Sequence, residues 1–193
     1  AYSFNRRPVI IRENNVIWGN RQLYHMLLYV TDLIYDGKFA TKDKKMSTLI
    51  GRISDERGRV FNQLIVDMLI DMGVFRIFPN VKKINKKLIA DKKGNTFGDI
   101  DVLIIDEEMN HIYIAEVKDF NFSRNPYEIQ SEYQKMFVDG KKICYATKHE
   151  RRVNWIKEHM EDLMIEYRLK NVAWKVNGLF IVSEPLISTQ VYQ

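Results

Sequence analysis

Apolar residues Phe61, Leu64, Ile65, Met68, Leu69 and Met72 recur at helical spacing, and Gly73 follows as a stop, which predicts a helix from about Asp55. "RIFPNVKKI" (76–84) then reads as a strand, and the turn-rich "DKKGNTFG" leads into two β-branched runs, Ile100–Ile105 and Ile112–Val117, separated by "DEEMNH". Asn125-Pro126 punctuates the chain before a helix over Tyr127–Val138; a longer helix runs from Lys148 to Leu169, and "WKVNGLFIVSE" (174–184) closes as a buried strand. Ahead of this series, "RPVIIRENNVIWGN" (7–20) suggests short extended pieces with turns at Asn14, Asn15 and Gly19. Asn20 would cap a helix carrying Leu23, Met26, Leu27, Val30 and Leu33, and Gly37 would end it. Residues 38–59 read as a polar connector with a short helix near Met46–Ile50. The element order predicts an α/β sandwich with a central mixed sheet flanked by helices over residues 55–193, and a small helical extension over 1–54.

The strand pair carries charge where packing alone would not put it. If the turn closes between Ile105 and Ile112, Asp101 lies directly opposite Glu116, and Asp99 opposite Lys118. Opposed residues sit roughly 4.5–5.5 Å apart at Cβ, so the two carboxylates repel. A divalent cation removes that penalty, since Mg²⁺ favours hard carboxylate oxygens, water and phosphate. Lys118, one pleat along, would orient water or offset charge on phosphoryl oxygens. A half-exposed strand would show the same period with no metal. Against that, Ile112 and Ile114 share the face of Glu116 and Lys118, so both faces are partly apolar.

Charge and composition narrow the classes. The net charge of +5 is compatible with a polyanion. Lys141, Lys142, Lys148, His149, Arg151, Arg152 and Lys157 are candidate phosphate contacts, as are the lysines at 82, 83, 86, 87, 92 and 93; a solvated helix face is the plainer reading of the first group. Trp155 lies off the centre of its helix's apolar stripe, where packing is the reading preferred over base stacking. Cys144 is the single cysteine, which excludes an internal disulfide and points to a reducing, cytoplasmic setting, and four scattered histidines give no zinc spacing. No apolar run is long enough to span a membrane. The chain begins at Ala1 without an initiator Met or signal segment, which suggests a fragment or processed chain and leaves further domains and homo-oligomers open.

Asp101, followed across the hairpin by Glu116-Val117-Lys118, resembles the signature of the PD-(D/E)xK nuclease superfamily, whose fold is restriction-endonuclease-like; "GDIDVL" and "AEVKDF" match its strand contexts. The resemblance covers about Asp55 to Glu184. It implies Mg²⁺ or Mn²⁺ held by Asp101, Glu116 and the Val117 carbonyl, with Lys118 assisting the attacking water in phosphodiester hydrolysis. Many relatives carry a Glu on the first core helix, where "GRVFN" places Asn62; Glu56 is a candidate substitute and Asp99 a candidate neighbour. The expectation is a metal-dependent nuclease acting on DNA rather than RNA, in defence, restriction or repair. Its rivals are a degenerate nucleic-acid-binding relative and an interaction module of a larger protein.

Overall fold

The computed structural model describes residues 9–121, 123 and 125–191; Arg7 and Pro8, which opened the first expected extended piece, lie outside them. In order the elements are β1 (Val9–Arg12), β2 (Asn15–Trp18), α1 (Asn20–Tyr35), α2 (Lys44–Asp71), β3 (Arg76–Val81), β4 (Lys83–Ile84), β5 (Lys87–Leu88), β6 (Ile100–Asp106), β7 (His111–Lys118), α3 (Pro126–Phe137), α4 (Tyr145–Glu158), α5 (Met160–Tyr167), β8 (Lys175–Val182) and α6 (Ser188–Val191). The chain divides after Arg59 into two compact units, and α2 runs through the division.

In the first unit β1 and β2 form an isolated antiparallel hairpin, with Ile10 opposite Ile17. The end of α1 is tied to α2 by Arg57, which donates to the Tyr35 carbonyl at 3.0 Å and pairs with Asp36 at 3.4 Å. The expected connector proves to be helical. Asp43 Oδ1 accepts from the Met46 amide at 2.7 Å, capping a helix that then continues unbroken to Asp71, so the boundary expected at 54/55 falls inside α2. A cap plus the apolar spacing of Met46, Ile50 and Ile53 outweighs the local run of charge. The residue capping α1 is Gly19, with no side-chain bond, rather than Asn20.

The second unit is built on a four-stranded mixed sheet in the order β3-β6-β7-β8, antiparallel except for the parallel β7–β8 pair. Pairing of Val102 with Ala115 and Ile105 with Ile112 is the register expected from sequence. Asp106 tightens the hairpin turn by accepting from the amides of Glu108 and Met109 at 3.1 and 2.9 Å, and Glu107 pairs with Arg76 at 2.6 Å. Period-two alternation sends β6 and β7 residues to two cores. Leu103, Ile105, Ile112 and Ile114 pack with Val153, Ile156 and Leu163 of α4 and α5. Val102, Ile104, Ala115 and Val117 pack on the other face against Phe61, Ile65, Val66 and Leu69 of α2.

The long C-terminal helix is two helices, broken at His159, whose φ of −118° and ψ of 32° leave the helical region. The His159 ring stacks on Trp155 at 4.0 Å and its Nδ1 lies 2.8 Å from the Trp155 carbonyl. Trp155 itself is buried, as packing predicts. α3 begins where expected, with Pro126 in its first turn and the Asn125 side chain accepting from the Glu128 amide at 3.0 Å.

α4 packs tightly on the sheet over Gly178 of β8. A Cβ there would meet His149 Nε2 at 2.8 Å and Val153 Cγ2 at 3.1 Å. Gly178→Ala is expected to cost about 1–3 kcal/mol in urea unfolding through overpacking, and a His149→Ala background should remove much of that cost. Equal costs in both backgrounds would show that the close approach of α4 is not what demands glycine.

Candidate active site

Asp101, Glu116 and Lys118 project from one face of the β6–β7 hairpin at its open end. One Asp101 oxygen, Oδ2, accepts from the Val117 amide at 2.9 Å and from Lys118 Nζ at 3.1 Å. The same ammonium reaches Glu116 Oε1 at 2.8 Å. The other Glu116 oxygen is held by Arg152 Nη2, and Arg152 Nη1 donates to the Asp99 carbonyl at 2.8 Å. The Arg152 and Glu116 side chains are 6 % and 5 % exposed, whereas Asp101 and Lys118 are 21 % and 27 % exposed. The site is thus graded: a buried ion pair at the back and a solvent-reachable pair in front.

Two carboxylates are matched here by two cations, which answers the repulsion expected between Asp101 and Glu116. Burial alone would lower the Lys118 ammonium, but the charges and hydrogen bonds of Glu116 and Asp101 more than offset it and hold the group above its ordinary value. Lys118 is therefore a fixed positive charge beside the carboxylates and does not serve as a proton acceptor in this arrangement. Its Nζ also lies 5.7 Å from the centre of the Tyr145 ring.

Arg152 was expected among the surface phosphate contacts; it is instead an interior residue that neutralises Glu116. His149, grouped with it on sequence, is 5 % exposed, packs its ring 4.7 Å from that of Phe180, and has no hydrogen-bond partner at either ring nitrogen. Burial, with a further contribution from the Arg152 charge, pushes its imidazole down from 6.5 to about 4. A helical-wheel signal for both was present: stepping back four residues from Val153 and from Ile156 lands on His149 and Arg152. Gly98 is part of the same fit, with φ of +86° and room for Arg152 Nη1 at 3.4 Å from where a Cβ would stand.

The remaining expected residues are dispersed. Asn62 lies on the sheet-facing side of α2 with its Oδ1 buried and unpartnered, yet α2 covers the face opposite to Asp101, Glu116 and Lys118. Glu56 is exposed and pairs with Arg59. Asp99 pairs with Lys82 at 3.6 Å. Lys141, Lys142, Lys148 and Arg151 are exposed, so they stay available to a polyanion. The Val117 side chain is buried in the α2-side core, and its amide serves Asp101. Asp101 and Glu116 supply hard oxygens around a point that already holds a cation, which fits a divalent ion; among the described residues no group of three or more His, Cys, Asp or Glu side chains forms a metal cluster.

A family model described as Anti-phage protein Upx-like matches residues 3–177, and the chain belongs to that family of anti-phage proteins. No curated protein and no solved structure matches it. Among the described residues no helix is long and apolar enough to cross a membrane.

Arg152→Ala is expected to cost about 3 kcal/mol in denaturant unfolding, because it leaves the buried Glu116 with only the partly exposed Lys118 as its cation, and adding Glu116→Gln should recover a large part of the loss. Additive losses in the double variant would refute the coupling. For His149 the folded value lies below the ordinary one, so protonation favours the unfolded chain. Stability should fall by about 3 kcal/mol as pH drops from 6.5 towards 4, and His149→Phe should flatten that part of the profile. Parallel profiles for the wild type and the variant would remove His149 from the pH response.

Proposed function

We propose that this member of the Upx-like anti-phage family is a metal-dependent nuclease that cuts phosphodiester bonds in DNA at Asp101, Glu116 and Lys118. The observation that carries the reading is the meeting of two carboxylates and one ammonium on one face of the hairpin, with Lys118 Nζ within 3.1 Å of Asp101 and 2.8 Å of Glu116. Support also comes from the order of helix, three antiparallel strands, helices and a parallel fourth strand, which agrees with the resemblance of the motif, and from the anti-phage family, for which invading DNA is a fitting target.

Asp101 and Glu116, with the Val117 carbonyl, would hold Mg²⁺ or Mn²⁺. Such an ion, when bound, lowers the pKa of water and neutralises charge developing on the phosphoryl oxygens. Lys118, released from the carboxylates as that ion takes over their charge, would direct its ammonium to a phosphate oxygen or the incoming water. Arg152 holds Glu116 in its buried position. The exposed Lys148 and Arg151 of α4, with Lys141 and Lys142 ahead of it, would track the backbone phosphates without reading sequence.

A second reading is a nucleic-acid-binding relative that does not cut. It is favoured by the Arg152 contact that already engages one oxygen of Glu116, and by Asn62 at the helix position where many nucleases of the resembling superfamily carry Glu.

Incubation of plasmid and linear DNA with Mg²⁺ or Mn²⁺ is expected to give cleavage that falls by about a hundredfold or more in Asp101→Ala and Lys118→Met. Cleavage unchanged in both variants would sink the site. DNA retained in a mobility-shift assay without cleavage by the wild type would favour the second reading.

A further inference from the structure

We propose that the outer face of α1 is the two-fold interface of a homodimer of this chain, with the two α1 helices packed antiparallel. The first unit leaves its apolar groups largely uncovered. Among its described residues Ile50 alone is buried, and α1 contains no buried residue over its whole length. Tyr24, Leu28 and Tyr35 are 60 %, 46 % and 57 % exposed, and Leu27 is 60 % exposed beside them. At 100° per residue Tyr24, Leu28 and Tyr35 fall on one stripe of the helix. The preceding β1–β2 hairpin exposes side chains along both strands. An isolated two-stranded hairpin is marginal in water, and helices draw most of their stability from packing an apolar face, so this unit calls for a covering surface.

The charges on α1 identify a second copy as that surface. Arg21 and Asp32 are the charged side chains of the helix; both are exposed, and neither has an ion-pair partner among the described residues. They stand eleven residues apart, three turns of helix, so they flank the same side of the apolar stripe at opposite ends. An antiparallel two-fold pair keeps matching flanks together and reverses the helix direction. Arg21 then meets the partner's Asp32, and Asp32 meets the partner's Arg21. A parallel two-fold pair would instead put matching flanks on opposite sides of the seam and leave both charges without a partner. The helix is self-complementary in one orientation alone.

Sedimentation equilibrium of the full chain over a roughly hundredfold concentration range tests this. The expected mass at high concentration is twice 23.0 kDa. Arg21→Asp and Asp32→Arg should each weaken self-association about tenfold, since every dimer contains both pairs, and the double exchange should restore it to within about twofold. Leu28→Arg should give a monomer with unchanged helical circular dichroism. A monomer at all concentrations, a dimer indifferent to the single exchanges, or a double exchange no better than the singles would each overturn the proposal. Every one of these readouts is independent of nuclease activity.

Discussion

The buried ion pair between Glu116 and Arg152 is the constraint around which the second unit is arranged. A carboxylate in the middle strand of a sheet, under a helix, is unfavourable by several kcal/mol unless a cation comes with it. Arg152 can be that cation only if α4 lies close over β7 and β8. That closeness is what Gly178 permits, where His149 and Val153 occupy the space of a side chain. Gly98 allows the guanidinium to reach the Asp99 carbonyl at the other side. A glycine on β8 and another in the loop before β6 thus follow from one desolvated charge.

The sheet separates its tasks by face. Towards α2 it is a dry layer of Val102, Ile104, Ala115 and Val117. Towards α4 the same two strands begin as a dry layer, at Ile105 and Ile112, and end as a charged one at Asp101, Glu116 and Lys118. The apolar end anchors the hairpin, and at the charged end Asp101 ties β6 to β7 through the Val117 amide and Lys118. Lys118 lies at the margin of this cluster, more exposed than Glu116.

Much of this was legible in the sequence. Period-two alternation with a clear turn marked the β6–β7 register from Val102–Ala115 to the turn, and with it the shared face on which Asp101 and Glu116 reach the same Lys118 ammonium. Asn125-Pro126 marked the start of α3. What the sequence did not reveal came from long-range pairing. A wheel could place Arg152 on the buried side of α4, but nothing local says that a carboxylate on β7 waits there. The break at His159 was equally hidden, since the apolar spacing continues through it. Residues 38–59 misled in the opposite sense: a dense run of charge read as a connector, while one aspartate cap was enough to start α2 early.

The parallel pairing of β7 with β8 sets an order on how the protein is made. β6 and β7 can close as a hairpin as soon as they leave the ribosome, but their third neighbour arrives only after α3, α4 and α5 have been synthesised. Until then Glu116 has neither its guanidinium nor the Phe180 side of its enclosure, and it stays a hydrated carboxylate on a wet strand. Translation thus adds the Arg152 and β8 sides of the charged cluster after the hairpin that carries its carboxylates. A nascent chain carries all three motif residues well before it carries the environment that gives them their properties.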